Sequence, residues 1–164
     1  MNLHICQADF ADPRHAVGIL RVVNSYAIDP VGGGEPLPPD VRERLVPGLR
    51  EQPNALVLLA FADEEPVGIA VCFFGFSTFK ARRLLNIHDL AVIPECRGQG
   101  VGPALLRAAE EHARRAGCCK LTLEVQDDNT RARAVYQRFG FEDFVVGSSA
   151  PTRFLTKPLN EEAA

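Results

Sequence analysis

The feature that most constrains this chain is a glycine-rich segment between an apolar run and a helical pattern, within residues 91–117 (AVIPECRGQGVGPALLRAAEEHARRAG). Gly98, Gly100 and Gly102 follow shortly after Pro94, where the apolar run ends. Glycine lets a backbone approach a ligand closely, and the start of a helix favours anions. The segment therefore predicts a strand–loop–helix unit that could hold an anion through its main-chain amides.

Two common phosphate-binding motifs do not fit this segment. The Walker A motif needs a lysine and a serine or threonine after its last glycine, and none follows here. The dinucleotide motif GxGxxG fails because residue 103 is proline, where the third glycine belongs. These departures argue against a nucleotide-binding protein. The pattern that remains is R-x-x-G-x-G, formed by Arg97, Gly100 and Gly102.

Length and charge narrow the class of protein further. The chain has 164 residues, which predicts one domain over residues 1–164. Its net charge of −3 argues against nucleic acid as the main partner. No apolar run reaches the roughly 18 residues of a membrane span, and the first residues lack a signal-peptide pattern. We therefore expect a cytoplasmic protein without a membrane partner.

The cysteines predict neither a metal site nor a disulfide framework. Their number, five, is odd, and no pair has the spacing of zinc ligands. Cys96 lies beside the glycine loop but has no base near it in the sequence, so it is not interpreted as a nucleophile. We expect reduced, partly buried thiols and no bound metal.

Apolar periodicity and turn residues predict the element order β, α, α, β, β, β, α, β, α, β, β. Strands that follow one another through short turns should pair antiparallel, and strands joined through helices should be parallel. The expected fold is a single α/β or α+β domain with a mixed sheet. Helices are expected at residues 13–27, 39–52, 101–116 and 129–139, and strands at 3–8, 83–93, 119–125, 141–148 and 152–159, with two more within 55–76.

Two segments resemble the GNAT acetyltransferase superfamily. LAVIPECRGQGVG is similar to the signature [Q/R]-x-x-G-x-[G/A], and NTRARAVYQRFGFEDF is similar to the pattern N-x-x-A-x-x-x-Y-x-x-x-G-F downstream of it. Together they cover residues 84–144. The resemblance implies a GNAT fold: a mixed, mostly antiparallel sheet of six to seven strands, about four flanking helices, and a V-shaped splay between the fourth and fifth strands.

The resemblance also implies acetyl-CoA as cosubstrate, with the loop amides holding its pyrophosphate. The strand before the loop would pair with the pantetheine arm, and Asn129 would contact the same arm or the adenosine side. Asn129 could instead serve only as a helix cap. Pro103 lacks an N–H that many relatives offer. The implied cofactor-binding residues are Leu90, Ala91, Val92, Arg97, Gly98, Gln99, Gly100, Val101, Gly102 and Asn129.

Acetyl transfer to an amine needs a group that accepts a proton and a group that donates one. Tyr136 matches the family tyrosine that faces the sulfur and acts as the acid, although it could be an ordinary core tyrosine. His88 matches the position of a base in some relatives, although it could be a structural histidine. Asp89 is the rival base. Strict alternation would place Asp89 on the sheet face opposite to His88 and Leu90.

The acceptor side is implied only in outline. Family acceptors sit beside the segment between the first two helices, so Tyr26, Asp29 and Glu35 are candidate contacts for a cationic amine. This Gly/Pro-rich segment could equally be a solvated loop. Residues 74–92 resemble the polyamine and small-amine branch of the family.

The function predicted from the sequence is therefore an N-acetyltransferase that moves an acetyl group from acetyl-CoA to a primary amine of a small molecule. Direct attack in a ternary complex is expected, because no cysteine is placed to carry the acyl group. The alternatives are a protein N-terminal or lysine acetyltransferase and a non-catalytic acyl-CoA-binding module. The resemblance also allows a homodimer.

Overall fold

The computed structural model describes residues 1–147 and 150–159. Within them the element order is that of the first nine predicted elements. The strands are β1 Leu3–Gln7, β2 Ala55–Ala62, β3 Glu65–Ser77, β4 Arg82–Val92 and β5 Leu121–Leu123, and the helices are α1 Pro13–Ile28, α2 Pro39–Arg50, α3 Val101–Arg115 and α4 Thr130–Phe139. Short 3-10 turns, Pro30–Gly32 and Pro94–Cys96, precede α2 and α3.

The chain divides into two compact units. The first, Met1–Leu123, contains the whole sheet and helices α1 to α3. The second begins at Glu124 and contains α4.

The sheet has the strand order β1-β2-β3-β4-β5. The first three pairings are antiparallel and the last, between β4 and β5, is parallel. This follows from the connections, because β2, β3 and β4 succeed one another through short turns, whereas β5 is reached through α3. The predicted mixed, mostly antiparallel sheet with four helices is confirmed.

The predicted number of six to seven strands is wrong for the described residues, in which the sheet has five. The sequence pattern suggested two more strands at 141–148 and 152–159, but 141–147 and 150–159 contain no strand, and residue 148 lies outside the described residues. A backbone hydrogen bond of 3.2 Å from Thr152 to Phe144 does connect the two segments. An isolated pair of strands is marginal without further neighbours, so apolar content alone was weak evidence here.

Helices cover both faces of the sheet. On one face Ile19 and Val22 of α1 pack with Leu59 and Val71 in a buried cluster that also contains Leu49 of α2. On the other face, α3 lies so close to the sheet that a Cβ added to Gly68 would meet its first two turns. Within the described parts of the chain, none of the helices combines the length and apolarity needed to cross a bilayer.

The starts of two helices are set by side-chain caps that the sequence indicates. Asp12 accepts a hydrogen bond of 2.8 Å from the Arg14 amide, and Pro13 occupies the first turn of α1. Asn129 accepts one of 3.2 Å from the Ala132 amide at the start of α4. Capping is therefore a structural role that Asn129 already fulfils.

Candidate active site

The glycine loop lies between the end of β4 and the start of α3. Gly98 and Gly100 have φ angles of 76° and 85°, in the left-handed region that other residues rarely adopt. A Cβ on Gly100 would meet no atom within 4 Å. The backbone conformation, rather than a lack of space, therefore requires glycine at position 100.

The amides of this loop form the main feature of the site. Within the described residues, the N–H groups of residues 98–102 make no hydrogen bond of good geometry to a protein acceptor. The flanking amides are occupied, since Arg97 donates to Pro94 O at 3.3 Å and Ala104 to Gly100 O at 3.1 Å. Gly98, Gln99 and Gly100 are exposed, so their N–H groups are accessible from solvent. A run of such groups at the positive end of a helix suits an anion. The residues present fit a diphosphate group.

The side chain of Arg97 turns back from the loop and is held at two points. Its Nε donates to the carbonyl oxygen of Val92 at 3.0 Å, and one terminal nitrogen donates to Asp29 Oδ2 at 2.7 Å. The Val31 amide donates to the other oxygen of Asp29 at 3.0 Å. The hydrogen bonds from Val31 and Arg97 lower the pKa of Asp29. Its carboxylate is thus ionised and held by hydrogen bonds to both of its oxygens.

The predicted acceptor segment is folded back on the end of α1. The Glu35 amide donates to Ala27 O at 3.2 Å, and the Leu37 amide donates to Asn24 Oδ1 at 2.9 Å. The Glu35 side chain itself is exposed. The segment is therefore ordered by these hydrogen bonds, while residues 32–36 are exposed to solvent.

Tyr26 lies in the last part of α1 and packs against the core cluster. Burial raises the pKa of its phenol, and the charges of Asp89 and Asp29 raise it further. The phenol therefore stays protonated and can donate a hydrogen bond. The charge of Asp89, the rival candidate base in β4, therefore acts on the Tyr26 phenol.

The outer edge of β4 is only partly used by the sheet. Its parallel pairing with β5 joins Leu85, Asn86 and Ile87 to residues 121–123 and goes no further. Within the described residues, 88–92 have no strand beside them on this edge, whereas Leu90, Ala91 and Val92 pair with β3 on the other. An open strand edge can take an extended ligand by main-chain hydrogen bonds.

A β-bulge interrupts β4 at the candidate base. Val71 of β3 lies opposite Asp89, but the next residue, Cys72, lies opposite Ile87. His88 is therefore an extra residue in β4 without a partner of its own in β3. A bulge of this kind bends the strand and redirects its side chains.

The bulge changes the expected distribution of side chains between the two faces. The His88 ring lies 5.6 Å from the Phe73 ring in an edge-on arrangement, while Asp89 lies opposite Val71. Since Val71 and Phe73 are two residues apart in β3, they share a face, which α1 covers. His88 and Asp89 therefore lie on the same face, and the alternation that separated them does not hold.

The two neighbours differ in environment. His88 is exposed, and Asp89 is partly buried. Burial raises the pKa of the Asp89 carboxyl, and the nearby His88 acts in the opposite direction. Asp89 thus holds its proton more tightly than an ordinary aspartate, which is a property expected of a group that exchanges protons during a reaction.

Asn129 and Tyr136 belong to the second unit. Asn129 caps α4, and Tyr136 lies on the same helix with its ring 5.9 Å from the Phe141 ring, edge-on. The first unit brings together the glycine loop, the open edge of β4, the His88–Asp89 bulge and the end of α1. The ion pair to Asp29 and the bulge are the two features of the site that sequence reasoning missed.

Comparison with known proteins agrees with this architecture. A family model described as Acetyltransferase (GNAT) family matches residues 20–141. The match covers most of the chain, so the chain belongs to the GNAT acetyltransferase family.

Curated relatives share part of the chain. An uncharacterised N-acetyltransferase of Bacillus subtilis, YhfO, is 32% identical over 93 residues, which are 57% of this chain and 62% of the relative. Thialysine N-epsilon-acetyltransferase of Bos taurus is 39% identical over 77 residues, which are 47% and 45% of the two chains. The matched regions thus span about half of these relatives' length.

Solved structures share the fold over nearly the whole chain. A probable acetyltransferase superimposes with a TM-score of 0.76 at 26% identity, covering 97% of this chain and 99% of the other. The enzyme AAC(6')-Iy, in complex with a bisubstrate analogue, CoA-S-monomethyl-acetylneamine, has a TM-score of 0.74 at 17% identity, covering 97% and 100%. At such identity the second likeness shows the fold alone.

Proposed function

We propose that this protein is an N-acetyltransferase that moves an acetyl group from acetyl-CoA to a primary amine of a small molecule, by direct attack in a ternary complex. The observation that carries the proposal is the run of N–H groups at residues 98–102 that make no hydrogen bond of good geometry to a protein acceptor within the described residues. The coenzyme supplies an acetyl group activated as a thioester. Every other part of the reaction falls to groups of the chain itself.

The loop would bind the diphosphate of the coenzyme without a lysine or a metal, because several amides converge on one anion. Pro103 contributes no N–H, so the binding amides end at Gly102. Leu90 and Ala91 would pair with the pantetheine arm along the open edge of β4. The same edge would form the splay between β4 and β5, which begins where their pairing ends at Ile87.

The proton transfers would use His88 or Asp89 as the base and Tyr136 as the acid, and the whole chain is proposed as one catalytic domain. The attacking amine loses a proton to His88 or Asp89, directly or through water, as its nitrogen bonds to the acetyl carbon. The carbon–sulfur bond breaks, and Tyr136 gives a proton to the departing sulfur. Both candidate bases remain in the proposal, because the bulge places them on one face.

A small amine as acceptor is supported by the segment at the end of α1. Tyr26 offers a protonated phenol near Asp89, and Glu35 offers an exposed carboxylate. Asp29 contributes to this segment through its ion pair rather than as a direct contact with the amine. The thialysine acetyltransferase among the relatives is named for a small amine substrate. Protein N-termini and lysines remain the alternative acceptors.

Coenzyme binding is tested by isothermal titration of CoA into the wild-type protein and the variant Gly100→Glu. The variant should lose binding, because a carboxylate would stand where the diphosphate belongs and because φ at this position disfavours a side chain. Gly117→Glu is the matched control, since Gly117 also has a left-handed φ and open space but lies at the other end of α3. Equal CoA affinity in Gly100→Glu and wild type would remove the proposed role of the loop.

The acceptor is tested by mixing enzyme and acetyl-CoA with a panel of amines and measuring the release of free thiol. The panel contains spermidine, lysine, thialysine, an aminoglycoside and a peptide with a free N-terminus. Turnover with one of the small amines supports the proposal. Turnover with the peptide alone would replace it by the protein-acetylating alternative.

The role of Tyr136 is tested with the variant Tyr136→Phe. If the phenol protonates the sulfur, kcat should fall by about 10²-fold, the lower range for loss of a general acid, while CoA affinity stays the same. Unchanged kcat, measured at saturating substrates, would rule out this role.

A further inference from the structure

The guanidinium of Arg97 joins three parts of the first unit. Arg97 immediately precedes the amides of the glycine loop, and its side chain reaches the end of β4 at Val92 O and the end of α1 at Asp29. The two members of the ion pair are 68 residues apart in the sequence. Through these two contacts, Arg97 connects the glycine loop to the C-terminal end of α1.

Asp29 is in turn the centre of the segment that follows α1. Its carboxylate accepts the Val31 amide, and its carbonyl oxygen accepts the amides of Gly32 at 2.8 Å and Gly34 at 3.1 Å. Tyr26 lies one turn earlier in α1, within reach of the Asp29 charge. A change in the position of Asp29 therefore moves the whole turn that was interpreted as the acceptor side.

The pair is more buried than the exposed ion pair between Arg44 and Asp40. The side chains of Arg97 and Asp29 are 31% and 14% exposed, whereas those of Arg44 and Asp40 are 69% and 66% exposed at the same N–O distance of 2.7 Å. Exposed pairs contribute little because water screens them, and burial strengthens the interaction. The Asp40–Arg44 pair, within α2, is thus a natural control of the same chemistry.

We propose that the Asp29–Arg97 ion pair is a positioning device that couples coenzyme binding at the glycine loop to the order of the acceptor segment at residues 26–37. The inference rests on the proposed function, since it assumes that the loop binds CoA. Arg97 holds the loop amides in place before the coenzyme arrives. CoA, by fixing the loop, fixes Arg97, and Arg97 holds Asp29 and the turn that Asp29 organises.

A double-mutant cycle measures the coupling. Asp29→Asn removes the charge but retains an oxygen that can accept the Val31 amide, and Arg97→Gln removes the other charge. Each single variant should weaken CoA binding by about tenfold, and the double variant by about the same factor rather than a hundredfold, because both remove one interaction. Asp40→Asn and Arg44→Gln should leave CoA affinity unchanged. Additive effects of the two site variants would overturn the proposal.

Hydrogen–deuterium exchange provides the readout that a merely structural role would not change. In wild type, saturation with CoA should slow amide exchange in peptides covering residues 29–37. The slowing should be lost in Arg97→Gln at CoA concentrations that saturate the variant. CoA binding to wild type without any change in exchange at 29–37 would overturn the coupling and leave the proposed function standing. Absence of CoA binding to wild type would instead overturn the proposed function.

Discussion

Gly68 of β3 packs directly against the start of α3, the helix that follows the glycine loop. A Cβ added there would lie 2.8 Å from Val101 Cγ1, 3.1 Å from Leu105 Cδ1 and 3.2 Å from the carbonyl oxygen of Ala91. Val101 and Leu105 are buried, at 1% and 0% exposure, so neither side chain can move into solvent. Carbon atoms prefer separations of about 3.5–4.0 Å. In a Gly68→Ala variant, these side chains must change rotamer or the start of α3 must move away from the sheet.

The expected cost follows from two opposing effects. Overpacking a well-filled core costs about 1–3 kcal/mol. Replacing glycine by alanine returns roughly 0.5–1 kcal/mol through the lower entropy of the unfolded chain. The middle values of these ranges, about 2 and about 0.75 kcal/mol, leave a fall of about 1 kcal/mol in the free energy of unfolding of Gly68→Ala, which corresponds to roughly 2–4 °C in Tm for a chain of this size. CoA affinity should also fall, because Val101 carries one of the loop amides.

Gly48→Ala in α2 is the matched control, since a Cβ there would meet no atom within 4 Å. This variant should be more stable than wild type by up to about 1 kcal/mol, the difference between alanine and glycine within a helix. Urea denaturation and CoA titration of both variants provide the comparison. The packing argument fails if Gly68→Ala matches wild type in both stability and CoA affinity.

Two further predictions concern titratable groups of the first unit. Burial raises the pKa of the Cys72 thiol to about 12, so iodoacetamide at pH 8 should not label Cys72 in the native protein; mass spectrometry showing rapid native labelling would contradict this. The raised pKa of Asp89 means that the folded state binds its proton more tightly than the unfolded state. As the pH rises from the ordinary pKa of an aspartate through the raised pKa of Asp89 in the folded state, ionisation of this carboxyl therefore lowers the free energy of unfolding of wild type. Asp89→Asn should consequently gain stability over wild type at pH 7 and lose that advantage towards pH 4 in thermal unfolding scans; a constant difference between the two pH values would refute it.

The parts of the fold that sequence reasoning found are those determined by local chemistry. The start of α1 is set by Asp12 and Pro13, neighbours in the chain, and α3 is set by apolar residues repeating at helical spacing. The glycine loop was found for the same reason, because positive φ angles require a specific residue at a specific place. The family motifs added chemical roles to residues that the pattern had already located.

The parts that were missed depend on contacts between distant segments. The Asp29–Arg97 pair joins the end of α1 to a loop 68 residues later, and nothing in either local sequence signals it. The bulge at His88 lies inside a strand that lacks the glycine often found at such a feature. β5 is shorter than predicted because only residues 121–123 find a partner in β4.

The bulge and the open edge of β4 occur at the same place. Pairing with β5 stops at Ile87, and the extra residue in β4 is His88, directly after it. A bulge bends its strand and disrupts the ladder locally, while pairing with β3 resumes at Asp89. Within the described residues, no strand lies beside β4 on its outer edge from His88 to Val92. An open edge is normally a liability for aggregation, so its retention beside a run of unsatisfied amides is understandable if an extended ligand covers both. The bulge that defeated the sequence-based assignment of faces thus lies at the start of the strand edge on which the proposed function places its extended ligand.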